Sequence, residues 1–411
     1  MCSCSDPTHS DDTASCDRST DLIVGTTGEL AERSAQTGQS AVVLASTRAY
    51  GATVGDIRLA HTDSHAVVAP GPWVGPSREA REEIEEMFLA PGATRARGAG
   101  TRALPEEADE RRTCFERDLD RIKYSKAFRR LAGKCQVVLA PDDSHLRTRM
   151  THALEVAQVA LSVAQAVGLN QALVEAMALG HDCGHGPGGH AAEDAFELYV
   201  PGGYDHATWG ANVTLTPLNL CVETLDGIRQ HSWRLAAPAT AEGELLSWSD
   251  RCAYLAHDAD DAIRSGIIAA ADLPRSVREL CGTRQSTQIR AFVGALIRSI
   301  ETTGKVGMDE EMARALDDFR RFNYERIYMR PACKEQNEKT IAMLRALVEL
   351  YADAPWKIPA VARGKVEVDI SGGPAAVQAA VAYVSGMTDW FAISQAKGLL
   401  GWTGQMLPRW S

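Results

Sequence analysis

The segment LGHDCGHGPGGH, residues 179–190, carries three histidines and an aspartate, with four glycines and a proline set between His181 and His190. Imidazole plus carboxylate is a ligand set for manganese, iron, magnesium or zinc. A His-Asp dipeptide alone means nothing, but this one follows a histidine, His152, by 29 residues and precedes a further candidate, Asp250. Adjacent residues on a helix diverge by about 100°, so His181 and Asp182 can meet one ion only where their helix ends. Glycines inside a helix would cost about 1 kcal/mol each. The stretch from Cys183 to Gly189 is therefore expected as a loop, one that swings His185 and His190 towards whatever His181 and Asp182 hold. Its backbone can approach a ligand where side chains would collide.

Helical patterns must position these groups. MTHALEVAQVALSVAQAV (150–167) is apolar nearly all round and reads as a buried helix. Its polar residues His152, Glu155, Gln158, Ser162 and Gln165 form one narrow stripe. Taken alone, His152 reads as a structural, hydrogen-bonded core histidine. Arg147 and Arg149 stand just ahead of this helix, where cations beside a helix N-terminus make an anion site; solvated surface arginines are the plainer alternative. SDRCAYLAHDADDAI (249–263) reads as a helix with Asp250, Tyr254, Asp258 and Asp261 on one face. Three acids there need cations or donors, unless the face is simply solvated. His190 and Glu193 fall at i and i+3 at the start of GGHAAEDAFELY, so the carboxylate is expected to orient the imidazole and raise its pKa.

The chain has 411 residues, 45% hydrophobic, with a net charge of −11 and a pI near 5.5. That supports a large core and argues against a dedicated nucleic-acid coat protein. No apolar run approaches the roughly 18 residues that span a bilayer, so no membrane partner is expected. The polar N-terminus lacks the apolar region of a secretory signal. Ten scattered cysteines form no CxxC pair and read as idle thiols in a reducing cytoplasm. Residues 1–20 read as disordered. SAVVLAS (40–46) and HAVVAPG (65–71) read as short strands, SREAREEIEEMF (77–88) as an acidic helix capped by Ser77, and 90–107 as a linker. Amphipathic patterns then cover 113–132, 150–168, 170–182, 190–199, 218–231, 244–266, 275–302, 309–326, 334–352 and 374–397. The expected class is all-α, with 1–105 an extension and linker, 106–400 one helical domain and 401–411 a tail.

His152, His181-Asp182 and a distant aspartate make the H…HD…D pattern of HD-domain phosphohydrolases. Six blocks resemble, in order, the bacterial deoxyguanosine triphosphate triphosphohydrolase family: ERDLDRIKYSKAFRRLAGKCQVV, RTRMTHALEVAQ, LGHDCGHGPGGHAAE, LNLCVETLDGIRQHS, AYLAHDADDA and YVSGMTDWFA. The resemblance spans roughly 112–400. It implies that His152, His181, Asp182 and Asp250 hold one divalent metal, manganese or magnesium with iron as a third option. It implies cleavage of a dNTP at the α-phosphorus, giving deoxynucleoside and tripolyphosphate. Loss of a 5′-alkoxide needs a proton donor, and the resemblance assigns that role to His190 with Glu193. His185 and His206 match positions that contact the triphosphate, Arg149 and Arg251 phosphate cations, and Gln136, Tyr254 and Asp258 positions that meet the sugar. A homo-oligomer is implied, with a dNTP effector or single-stranded DNA as further partners.

Two departures bear on the phosphate site. The family's usual aromatic before the last loop glycine is Gly188 here, and HATWG follows where the family has Asn and then Gln after the residue matching His206. Two other readings stay open: an HD phosphohydrolase acting on a nucleoside monophosphate or modified nucleotide, and a nucleotide-sensing or single-stranded nucleic-acid-binding protein.

Overall fold

The computed structural model describes residues 53–54, 57–61, 65–137, 145–363 and 371–408. Contacts divide the chain into two units, Met1–Gly75 and Pro76–Ser411. In the first, Thr53–Val54 and Ile57–Arg58 pair as a minimal antiparallel hairpin. The expected strand at 65–71 does not form: Val67 and Val68 are exposed and pair with no strand among the described residues. Residues 1–20 and the strand expected at 40–46 lie outside the described residues.

The second unit is helical, as its patterns require. Ser77 caps the helix Arg78–Phe88 by accepting the Ala80 N–H. The segment expected as a linker is instead part of this unit. Buried Glu242 accepts both the N–H and the hydroxyl of Thr94, at 2.9 and 2.7 Å, and Ala93 and Ala96 are buried. Its Gly- and Ala-rich composition serves close packing against the helices, which composition alone cannot distinguish from a free connector. Two expected helices are each split at a glycine. The 275–302 pattern breaks into Arg275–Leu280 and Gln285–Thr303 around Gly282, whose φ is +81°. The 374–397 pattern breaks into Pro374–Ser385 and Asp389–Leu400, with Thr388 capping the second.

Two apolar cores result. The first gathers Arg149–Val167, Gln171–Gly180, Ala241–Arg264 and Gln285–Thr303, where Ala153, Val156, Leu173, Met177, Leu255 and Phe292 interlock. Burying each large aliphatic of this kind stabilises the fold by roughly 1.5–3 kcal/mol. The second joins His190–Phe196 to Pro331–Asp353, Pro374–Ser385 and Asp389–Leu400 through Phe196, Leu347, Val381 and Ile393. The 181–190 loop runs from one core to the other, with Cys183 in the first and Ala192, just beyond it, in the second. None of the described helices is long and apolar enough to cross a membrane.

Candidate metal centre

Three helical segments deliver the expected metal ligands. Thr148 caps Arg149–Val167 in a reciprocal box with Thr151, which sets the first turn and aims His152 inward. Gln171–Gly180 stops at His181, where tight turns take over: the Cys183 N–H bonds to the Gly180 carbonyl and the His185 N–H to that of Asp182. The ladder ends where two adjacent side chains must face one point. Asp250 comes from the middle of Ala241–Arg264, capped by Thr240.

Nε2 of His152 lies 3.2 Å from Nε2 of His181 and 3.1 Å from Oδ1 of Asp250. His181 Nε2 stands 3.7 Å from that oxygen and 3.5 Å from Oδ1 of Asp182, whose other oxygen is 3.6 Å from His152. Ligands about 2.1 Å from a common ion stand roughly 3.0–3.5 Å apart at neighbouring positions. The His181 Nδ1 is 2.7 Å from the Ala178 carbonyl oxygen, which can only accept, so the proton sits there and the Nε2 lone pair faces the other three groups. His152, His181 and Asp250 bring three ligand atoms close enough to share one ion, and Asp182 forms an adjoining group of the same kind with His181 and His231. The donor set therefore fits a divalent ion. Burial opposes the charge on Asp182, but Arg149 and the imidazoles of His181 and His185 hold it well below the usual carboxylate range. Asp250 is likewise depressed against burial, by the hydrogen bond from His152 and by His181 and His231.

A second group of imidazoles adjoins the first. His185 is buried, stacked on His206 at 3.7 Å between ring centres, and 3.1 Å from Asp182 Oδ1; its Nδ1 has no partner among the described residues. The pairing expected between His190 and Glu193 is replaced by another. Glu193 Oε1 lies 2.5 Å from Nδ1 of His206 and accepts the His206 backbone N–H at 3.1 Å. Asp205 caps the short helix His206–Trp209 and so fixes the ring that Glu193 receives. Burial lowers the His206 pKa, and Glu193 more than offsets it, so the net shift is upward. His231, whose Nδ1 is 2.8 Å from the Ile228 carbonyl oxygen, turns its free Nε2 to His206 Nε2 at 3.2 Å. A proton on His206 Nε2 completes that bond, so this ring is built to be the imidazolium.

His190 is the exposed member of the group, 5.2 Å from the His185 ring and 5.9 Å from that of His206. Its pKa is lowered, by crowding from the protein first, against the pull of Glu193; the solvent-facing side of the ring tempers that effect. The expected upward shift is therefore reversed, because desolvation outweighs the pull of a carboxylate that hydrogen-bonds His206 instead.

Of the expected phosphate cations, Arg149 is buried beside the loop, donating to Asp182 Oδ2 at 2.8 Å and leaving Nε without a partner. A Cβ at Gly189, which has a φ of +61°, would stand 2.3 Å from its Nη2, so only glycine lets the loop cross this guanidinium. Arg251 is half-buried, stacked 3.5 Å over the Trp233 ring. Arg147 is not a free cation: Glu155, Asp260 and Asp261 surround its guanidinium. The stripe of the 149–167 helix also divides, since Gln158 and Gln165 face solvent while Glu155 serves Arg147 and His257.

Among the groups expected at the sugar, Gln136 has a buried Oε1 without a partner among the described residues, and Tyr254 is half-buried against the first core. Asp258 is buried and accepts the Tyr328 hydroxyl at 2.5 Å. Next to it, fully buried His257 bonds Glu155 at 2.7 Å and faces Asp258 Oδ1 at 3.1 Å. The sequence reading assigned no role to His231, His257 or Tyr328; the first two lie inside resembling blocks, and Tyr328 lies outside all of them.

Sequence comparison matches this architecture. The HD domain model covers residues 149–271, which carry all four converging ligands, and the phosphohydrolase-associated domain model covers 306–398, which supplies most of the second core. A deoxyguanosinetriphosphate triphosphohydrolase-like protein of Caldanaerobacter subterraneus subsp. tengcongensis is 37% identical over 326 residues, covering 78% of this chain and 94% of the relative. Proteins of the same description from Clostridium tetani and Clostridium perfringens (strain SM101) are each 35% identical, covering 76% of this chain and 93% and 94% of the relatives. Likeness of that depth means that the chain belongs to the deoxyguanosinetriphosphate triphosphohydrolase-like family of HD-domain phosphohydrolases.

Proposed function

We propose that the protein hydrolyses deoxynucleoside triphosphates at the α-phosphorus, releasing a deoxynucleoside and inorganic tripolyphosphate. The observation that carries this reading is the juxtaposition of the His152, His181, Asp182 and Asp250 cluster with a second, imidazole-rich group one carboxylate away. Asp182 faces both. A divalent ion held by the first four supplies, when bound, positive charge for a phosphoryl oxygen and acidity for a neighbouring water. Manganese or magnesium suits a set of two imidazoles and two carboxylates.

The remaining steps belong to this chain's own side chains. His206, its charge supported by Glu193, acts on the triphosphate through its electrostatic field, because both its ring nitrogens are already engaged, and the stacked His185 lines the same side. The buried Nε–H of Arg149 is the direct donor, worth more in this dry setting than in water. His190, the imidazole that reaches solvent, gives its proton to the departing 5′-oxygen. Its lowered pKa rises when a polyanionic substrate arrives. Glu193 acts one ring away, through His206. At the sugar, Gln136 Oε1 and Asp258 are acceptors for a 3′-hydroxyl, and Tyr254 offers a packing face. Buried polar groups that need a partner discriminate strongly against substrates lacking one.

Incubation with each of the four dNTPs and Mn²⁺, with products resolved by anion exchange, tests the reading. Deoxynucleoside and tripolyphosphate in equal amounts are expected. Release of orthophosphate or pyrophosphate alone overturns it and favours a phosphohydrolase of another substrate class.

A further inference from the structure

Lys134 and Asp389 are two buried charges with no part in the chemistry above. Each is within a few per cent of full burial. The Lys134 ammonium donates to the His185 carbonyl and to the Ser385 carbonyl, the latter at 2.9 Å. The Asp389 carboxylate accepts the Cys135 N–H at 2.8 Å on one oxygen and the Gly188 N–H at 3.0 Å on the other. Three segments far apart in sequence thus meet at four main-chain groups. They are the 134–136 stretch that carries Gln136, the 185–188 part of the loop that carries His185 and His190, and the last two helices, Pro374–Ser385 and Asp389–Leu400. The approach is close: a Cβ on Gly133 would come 2.7 Å from the Thr388 methyl.

Packing alone does not call for this arrangement. Burying two charges is costly, and apolar pairs of similar volume often serve stability as well or better. Directional bonds to backbone groups do something else: they fix orientation. The loop between His185 and His190 has glycine at 186, 188 and 189, so it has more conformational freedom than any other catalytic segment of the chain. Resting on the proposed reaction, we infer that Lys134 and Asp389 are positioning residues, a reciprocal clamp by which the C-terminal helices hold the His185–His190 loop and the Gln136 segment in register with one another. In this view the phosphohydrolase-associated region shapes the site itself, setting proton donor and sugar acceptor at a fixed separation.

Asp389→Asn keeps the shape and removes one acceptor; Lys134→Met keeps the stem and removes the donor. A displacement of about 1 Å at a reacting group costs on the order of 10²-fold in rate. Each variant should therefore lower kcat with Mn²⁺ and the preferred dNTP by roughly 10- to 100-fold. KM should move far less, and bound manganese per chain should match the parent protein. Hydrogen exchange should rise in 184–190 and 134–137 and stay unchanged in 149–167. If a single variant fails to fold because it strands its partner's charge, the neutral double variant Lys134→Met/Asp389→Asn carries the same test. Unchanged kcat in both variants overturns the inference, as does a rise in exchange spread evenly over the chain. If the parent protein itself releases no tripolyphosphate, the proposed function fails, while the exchange measurement still decides whether the clamp exists.

Discussion

His206 Nδ1 and Glu193 Oε1 stand 2.5 Å apart, thirteen residues from one another in sequence and on opposite sides of a turn. The contact makes His206, not His190, the ring whose charge the carboxylate supports. Glu193→Gln keeps an acceptor but withdraws the negative charge, so the His206 pKa must fall. The alkaline limb of kcat/KM should then move to lower pH, with kcat reduced by about 10²-fold or more. A rate loss with the limb in place would mean that Glu193 contributes shape and not charge.

Gly184 sits where the loop backbone crosses the His206–Gly210 backbone. A Cβ there would meet the His206 carbonyl oxygen at 2.0 Å and the Gly210 nitrogen at 2.4 Å, both main-chain atoms that cannot step aside. Gly184→Ala should destabilise the fold by more than about 3 kcal/mol, in the range reserved for steric or strained sites. Denaturant unfolding measures this directly. A loss under about 1 kcal/mol would show that the two backbones can part.

Asp250 reaches the ligand cluster from a helix that neither of the other two ligand-bearing segments contains. Asp250→Ala leaves two imidazoles and one carboxylate, and Arg149 already claims part of that carboxylate. Manganese content by elemental analysis should drop from one per chain to a small fraction, and activity should fall below detection. The helix is capped at Thr240 and packed along its length, so its circular dichroism should be unchanged. Retention of the ion at full occupancy would remove Asp250 from the set.

The ligand candidates were legible only in company: His152 alone read as a core histidine and His181-Asp182 alone meant nothing, and it was their order with Asp250 that marked them. The structure brings His152, His181 and Asp250 together, with Asp182 beside His181. The partner of Glu193 was not legible. Spacing rules see i and i+3 on one helix, which pointed to His190, and cannot see a turn that returns His206 to the same carboxylate. Arg147 misled for a related reason: its neighbours in sequence suggest an anion site, yet its three carboxylates come from two other places along the chain. The 90–107 segment looked like a connector because small residues mark both free chain and tight packing. Distant partners such as Glu242, Glu223 and Asp118 decide between them.

His257 gives the protein a pH-dependent stability near and above neutral pH. It is fully buried; burial lowers its pKa, but Asp258 and Glu155 outweigh that and lift it to about 9. A histidine protonated more readily when folded than when unfolded stabilises the fold below its unfolded pKa of roughly 6.5, and that stability is lost as pH rises through the folded value. Metal-stripped protein should therefore become less stable between about pH 6.5 and 9, by at most about 3 kcal/mol. His257→Gln should be less stable than the parent at pH 6 and should flatten this dependence, because the amide carries no proton to lose. Thermal unfolding of both proteins from pH 6 to pH 9.5 measures the difference. Parallel curves would place the titrating group elsewhere.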